Sequence, residues 1–357
     1  MGFALYRKRK TLAVYGVFCV LLIISVGFFQ CFRRLGALDE MTFDEIEDFQ
    51  ALGDGSSRTS AASTTVKPNL PECANISSDE VDAVQRLSNE TEENILANFP
   101  SIGPGGSWKP TDCVPRNKIA IVIPFRDRHE NLMTFLPVLI SVLQRQNLDF
   151  RFVLAEQLGT EVFNKGRVMN AGFIAAEKLG VDCVFFHDVD MLPQRTDVPY
   201  SCPKPGNALH LGAYVNSLDY AEPYNILAGG VLSLTIKDYK SLNGYSNSYW
   251  GWGGEDDDMG KRILTKGMKL IRPEKRHRFV MLNHTRRRPN EYNPTMIFKH
   301  LDKTPTEMLK DGLNQPMWRL VNVMDKQLYH HVLVDVGEVP FEWTQRLNQY
   351  KRKKRRG

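Results

Sequence analysis

Residues 118–125 read KIAIVIPF and residues 181–190 read VDCVFFHDVD, two short apolar runs that each end where polar, chemistry-bearing residues begin. Runs of this length without alternation predict strands buried on both faces, because a half-exposed strand would interleave polar residues. Between them, Asn131–Arg145 carries a broad apolar face and predicts a helix, Phe150–Ala155 a second strand, Gly166–Leu179 a second helix, and Cys183–Phe186 the third strand. This alternation predicts an α/β domain in which a parallel sheet lies between helical layers and the crossovers are right-handed. Ligands of such sheets gather beyond the carboxyl ends of the strands, which is where PFRDR (Pro124–Arg128) and HDVD (His187–Asp190) both fall.

Outward from this core, composition divides the chain. Residues 12–32, LAVYGVFCVLLIISVGFFQCF, hold no charge and are long enough to cross a bilayer core. A cleaved signal peptide is the rival reading, but the apolar run is too long and no small-x-small site precedes Arg33-Arg34. The RKRK cluster at residues 7–10 favours a cytosolic N-terminus, although Arg33 and Arg34 weaken the asymmetry. The expected organisation is a cytosolic tail (1–11), a membrane anchor (12–32), a Gly/Ser/Thr-rich flexible stem (33–72), a catalytic domain (73–340) and a basic tail (341–357). The net charge of +5 gathers at the two ends, and no folded basic face with interleaved aromatics appears, which excludes a nucleic-acid binder. Of six cysteines, Cys19 and Cys31 fall in or beside the anchor. The other four allow three pairings. In an oxidising lumen Cys73 with Cys113 and Cys183 with Cys202 are reasonable bridges, against four free buried thiols. Sequons at Asn75 and Asn89 agree with a secretory route.

Three motifs carry chemistry. Asp188-Val189-Asp190 leaves a buried strand with two carboxylates close together, suited to a hard divalent cation bridging to a diphosphate; the bland alternative is a solvated turn. Residues 250–258, WGWGGEDDD, join glycines that permit close backbone approach, tryptophans that offer a face to a sugar, and carboxylates that bind hydroxyls or accept a proton. The bland reading there is an acidic turn beside core tryptophans, but four consecutive carboxylates repel one another without a counterion or a function. In FVMLNHTRRR, Met281 and His284 sit three residues apart and, with the Asp pair, complete a ligand set in which imidazole favours Mn²⁺ over Mg²⁺. Arg126, Arg128, Lys165 and Arg167 are candidates to neutralise a diphosphate, although arginines at strand ends often only pair with carboxylates.

Taken in order, IVIPFRDRHENL, FNKGRVMNAGF, FHDVDMLP, YWGWGGEDDD and VMLNHTRR resemble the β-1,4-galactosyltransferase family, from about Cys73 to about Gly337. The resemblance implies a GT-A (Rossmann-like, nucleotide-sugar-binding) fold, a single-pass type II Golgi membrane protein with a lumenal catalytic domain, Mn²⁺ dependence, and inverting transfer from a UDP-sugar in β-1,4 linkage to a terminal N-acetylglucosamine. Carried over by position, it makes Asp190, Met281 and His284 the manganese ligands and Asp256 the general base, with Glu255 and Asp257 binding donor and acceptor hydroxyls. Donor contacts fall on Pro124, Phe125, Arg126, Arg128, Phe163, Asn164, Lys165, Arg167, Asp188, Val189, Leu227 and Trp252, the last on a loop that closes over the donor. Acceptor contacts fall on Tyr224, Gly230, Gly253, Gly254, Asp256, Asp257 and Phe298. It also implies the bridges Cys73–Cys113 and Cys183–Cys202.

Two departures from the family pattern bear on specificity. Galactose-transferring members carry a bulky aromatic before the Gly-Gly pair, whereas this chain reads Tyr224-Asn-Ile-Leu-Ala-Gly-Gly230, with Leu227 in the aromatic's place. Losing that ring leaves room for an N-acetyl group and predicts UDP-GalNAc over UDP-Gal, although steric room alone discriminates by only ~1 to 3 kcal/mol. The second departure is Thr295-Met-Ile-Phe-Lys299, which stands where the family has an Arg-Phe pair. Asn283 forms a third sequon, expected to stay unmodified because a glycan there would block the metal site. The expected activity is β-1,4-N-acetylgalactosaminyl transfer to glycolipid or glycoprotein glycans. The alternatives are β-1,4-galactosyl transfer, a non-catalytic sugar-binding membrane protein, and a two-metal phosphodiesterase, which needs more ligands than these motifs supply. Cys19, Cys31 and the stem leave a homodimer open.

Overall fold

The computed structural model describes residues 70–75, 90–282 and 294–343. The 12–32 segment, Asn89, Asn283, His284 and the tail from 344 lie outside them, and among the described residues no helix is long and apolar enough to cross a membrane. A short helix α1 (Glu92–Asn98) precedes β1 (Lys118–Phe125), α2 (His129–Arg145), β2 (Asp149–Gln157), α3 (Lys165–Lys178) and β3 (Cys183–His187), so each expected element of this half is present within a few residues of its expected bounds. Then follow β4 (Met191–Pro193), β5 (Asn207–His210), β6 (Val231–Thr235), α4 (Ile236–Ser241), α5 (Glu255–Thr265), β7 (Lys269–Ile271), β8 (Phe279–Met281), α6 (Pro294–Leu301), α7 (Thr304–Glu307), β9 (Arg319–Asp325) and β10 (His330–Asp335).

The main sheet runs β7-β5-β6-β3-β1-β2-β10-β9. Its centre is parallel as expected, β1 pairing with β2 and β3, and β10 with β2. The sheet as a whole is mixed, which corrects the parallel expectation: β6 runs antiparallel to β3, and β9 antiparallel to β10. The physical reason is the connections. Only four residues join β9 to β10, too few for a parallel crossover, and the long excursion from β3 to β6 carries no crossover helix. A separate two-stranded pairing of β4 with β8 brings residues 191–193 and 279–281 together.

The pleat of β1 explains its continuous apolar run. Ile119, Ile121 and Ile123 join one buried cluster with Phe135, Leu136 and Leu139 of α2, while Ala120 and Val122 join the other with Val168, Ala171 and Phe173 of α3. Both expected disulfides are present, Cys73–Cys113 and Cys183–Cys202. The second ties the start of β3 to the segment that leaves β4, and so braces the strand that delivers the Asp pair.

Candidate active site

At the carboxyl end of β3 five stretches of chain line an open pocket. Its walls are Lys165 and Met169 of α3, Phe186 and Asp188 after the strand core, Ala228, Gly229, Gly230 and Leu232 leading into β6, and Tyr245, Glu255 and Asp256. The Asp188 N–H donates to the Gly230 carbonyl at 2.9 Å, which fixes the Asp turn against the glycine pair. Gly229 has a steric reason: a Cβ there would lie 2.5 Å from Oδ2 of Asp256, so only glycine lets that carboxylate approach the backbone.

Lys165 links the two acidic motifs, its Nζ lying 2.7 Å from Asp188 and 3.6 Å from Glu255. Burial would lower its pKa, but the charges of Asp188, Glu255 and Asp256 together hold it above the ordinary lysine range, so it stays cationic. Glu255 is pushed up to about 7 by burial first and by Asp256 second, with Lys165 opposing. Near neutral pH this carboxyl therefore exchanges a proton, which an ordinary glutamate does not.

The four consecutive carboxylates are tolerable because they form the first turn of α5, where the helix dipole favours negative charge. Gly254 enters that turn at φ 98°, a conformation suited to glycine. From there the four diverge. Glu255 and Asp256 line the pocket. Asp257 accepts a hydrogen bond from the Tyr224 hydroxyl, and its Oδ1 is buried with no partner among the described residues. Asp258 turns inward: its Oδ2 lies 2.6 Å from Arg262 Nε in a pair with both side chains almost fully buried, and its Oδ1 accepts from Thr304 (2.6 Å) and Tyr249 (3.3 Å). Arg262 also donates to the Leu242 and Gly244 carbonyls, so this pair locks α5 onto its neighbours.

The β4–β8 pairing explains how Asp190 and Met281, distant in sequence, meet. Met191 pairs with Met281, and the Leu282 N–H donates to the Asp190 carbonyl at 2.7 Å. The Asp190 carboxylate suits an oxygen-preferring ion such as Mn²⁺, and the strand pairing brings the Met281 backbone beside it; His284, the third expected ligand, lies outside the described residues. Arg128 reaches Asp190 Oδ2 at 3.3 Å, so its place is beside this carboxylate.

Other expected donor residues serve the scaffold in this structure. Arg167 is buried and spends its donors on the carbonyls of Asn247, Met317 and Val336, with its guanidinium 4.6 Å from the Trp250 ring centre. That geometry commits its donors to the scaffold. Asn164 caps α3 and donates to the Asn247 carbonyl. Arg126 donates to the Glu161 carbonyl and covers Phe163 at 5.2 Å. Phe125 and Val189 belong to the apolar core, and Pro124, the residue before the last of β1, pairs with Ala155. Trp252 is 79% and Phe298 67% exposed, and neither lines the pocket. Leu227 is buried next to Ala228, and it is Ala228 that reaches the pocket. Sequence reasoning missed Tyr245, Met169, Phe186 and Leu232, which read as core; the one signal was Tyr245 standing shortly before the Trp-Gly-Glu string.

The fold is a mixed α/β sheet of GT-A type in which an Asp-x-Asp turn and a carboxylate-bearing helix start line one pocket. Two family models match, the N-terminal region of glycosyl transferase group 7 over residues 72–203 and the N-terminal domain of galactosyltransferase over residues 209–285. The chain is 37% identical over 257 residues to β-1,4-galactosyltransferase 5 of Sus scrofa, covering 71% of this chain and 64% of that protein. It is 38% identical over 247 residues to human β-1,4-galactosyltransferase 1, covering 69% and 61%. The matched stretch thus spans less than two thirds of those relatives' length. Among solved structures, the catalytic domain of Drosophila β1,4-galactosyltransferase 7 in complex with xylobiose aligns at TM-score 0.52 with 27% identity, covering 61% of this chain and 92% of that one. A mutant of the same protein, in complex with manganese, UDP-Gal and xylobiose, aligns at 0.51. The chain belongs to the β-1,4-galactosyltransferase family.

Proposed function

We propose that this chain transfers a galactose-type sugar from its UDP donor, with inversion, in β-1,4 linkage to a terminal N-acetylglucosamine. The observation that carries the reading is the convergence of Asp188, Lys165, Glu255 and Asp256 on one pocket in a chain of this family. In this reading Asp256, at the pocket wall, takes the proton of the acceptor 4-hydroxyl as that oxygen attacks the anomeric carbon. Asp257, with one buried oxygen unpartnered among the described residues, accepts from an acceptor hydroxyl. Glu255 and Asp188 bind sugar hydroxyls, held in place by Lys165. Asp190 and Met281, with His284, hold Mn²⁺, which when bound stabilises charge on the leaving UDP. Trp252 covers the donor and keeps water from competing. Residues 12–32 anchor the chain with this domain in the Golgi lumen.

For the donor, the relatives' names favour UDP-galactose, and a solved relative is in complex with UDP-Gal. A second reading, UDP-GalNAc, is favoured by one specific observation: the residues before Gly229-Gly230 are Leu227 and Ala228, and a methyl group, not an aromatic ring, meets the pocket there. Initial rates with the two donors, Mn²⁺ and a GlcNAc-terminated acceptor, for the native chain and Leu227→Tyr, decide between them. Native preference for UDP-GalNAc with a shift toward UDP-Gal in the variant supports the second reading. Native preference for UDP-Gal supports the first.

A further inference from the structure

One polar group in the pocket wall has no part in the reaction as described. Tyr245 is 3% exposed, and its ring packs edge-on against Phe186 with centroids 5.2 Å apart. Its backbone is held from both sides by one residue: the Tyr245 N–H donates to Asn170 Oδ1 and its carbonyl accepts from Asn170 Nδ2, each at 2.9 Å. The side chain is therefore fixed, and it lines the pocket beside Lys165, Asp188, Glu255 and Asp256. Its hydroxyl has no hydrogen-bond partner among the described residues, and it is not one of the fully enclosed polar atoms. Burial, and then the charges of Glu255, Asp188 and Asp256, hold its pKa well above the ordinary tyrosine value, so the phenol keeps its proton.

The chemistry of the wall gives that proton a use. A sugar hydroxyl has one proton to donate and lone pairs that accept. Ionised carboxylates only accept, and the pocket is rich in them. Lys165, the one cationic side chain in the wall among the described residues, is committed to Asp188 and Glu255. Glu255 exchanges its proton near neutral pH, so among the described residues of the wall Tyr245 is the uncommitted side-chain donor that keeps its proton throughout. We propose that the Tyr245 O–H donates a hydrogen bond to a hydroxyl oxygen of the donor hexose, making it a binding and specificity residue for the sugar and not for the UDP. The proposal rests on the transfer reading above.

Tyr245→Phe removes the O–H and keeps the ring. The measurements are KM and kcat for the UDP-hexose, affinity for UDP alone with Mn²⁺, and rates with UDP-hexoses lacking one hydroxyl at a time at C3, C4 or C6. The expected result is a KM raised about fivefold, unchanged UDP affinity, and one deoxy donor that is penalised by the native enzyme but costs the variant nothing further. Unchanged KM in the variant overturns the proposal, as does an equal loss of affinity for UDP alone or an equal penalty from every deoxy donor in both proteins. Native protein that transfers no UDP-hexose overturns the transfer reading itself. Native transfer with an unaltered variant overturns only the role of Tyr245.

Discussion

Asp258 and Asp256 are two residues apart in one acidic string, yet the structure gives them opposite duties, and replacing each by a neutral residue separates them. Asp258→Ala removes the acceptor of Arg262 Nε, of the Thr304 hydroxyl and of the Tyr249 hydroxyl at once. It leaves a guanidinium that is only 1% exposed. Stranding one member of a buried pair costs about 3 to 5 kcal/mol. Arg262 keeps the Leu242 and Gly244 carbonyls and lies 3.7 Å from Asp311, so the lower end, about 3 kcal/mol, is expected. For a domain of this size that lowers the thermal midpoint by roughly 6 to 12 °C. Asp256→Asn, whose carboxylate makes no comparable buried pair, is expected to melt within about 2 °C of native. Thermal unfolding followed by circular dichroism reads both. An Asp258→Ala variant that melts like the native chain would refute the division of the string into structural and working carboxylates.

Two further predictions follow from charge and from metal. Glu255 has its folded pKa raised from 4.5 to about 7, so between those values the folded state retains a proton that the unfolded chain has released. Stability therefore falls as pH rises through that window, by about 1 to 3 kcal/mol, and Glu255→Gln flattens the profile; parallel denaturation midpoints from pH 5 to 8 in both proteins would contradict this. Chelation is expected to abolish transfer and Mn²⁺ to restore it, while Met281→Leu, which keeps volume and loses the thioether, raises the Mn²⁺ concentration for half-activation roughly tenfold. An unchanged Mn²⁺ titration in that variant would remove Met281 from the ligand set.

Much of the fold was legible because its central elements are locally encoded. The apolar runs at 119–125 and 183–187 have no exposed face to alternate, so their burial shows directly in composition. The Asp pair was legible for the same reason, ending a buried strand. The directions of β6 and β9 were not, because antiparallel entry depends on connections whose paths no periodicity records. Within the site the limit was partner identity. Arg167 and Lys165 look alike as basic residues two positions apart on α3, but Arg167 meets carbonyls contributed from 247, 317 and 336, while Lys165 meets the pocket carboxylates. Asp258 differs from Asp256 only through the helical turn that points it at Arg262. Tyr245 escaped notice because a buried tyrosine reads as core, and its ring is core; only its place in the pocket wall shows otherwise.

The central claim is that this pocket performs β-1,4 sugar transfer with Asp256 as the base. The most direct measurement incubates the chain with UDP-Gal or UDP-GalNAc, Mn²⁺ and a GlcNAc-terminated oligosaccharide, and assigns the product by mass and by NMR linkage analysis. The native chain is expected to give a β-1,4-linked product, and Asp256→Asn to lose about 10²-fold or more in rate with its thermal midpoint retained. Free hexose without a transferred product, or full transfer by Asp256→Asn, would contradict it.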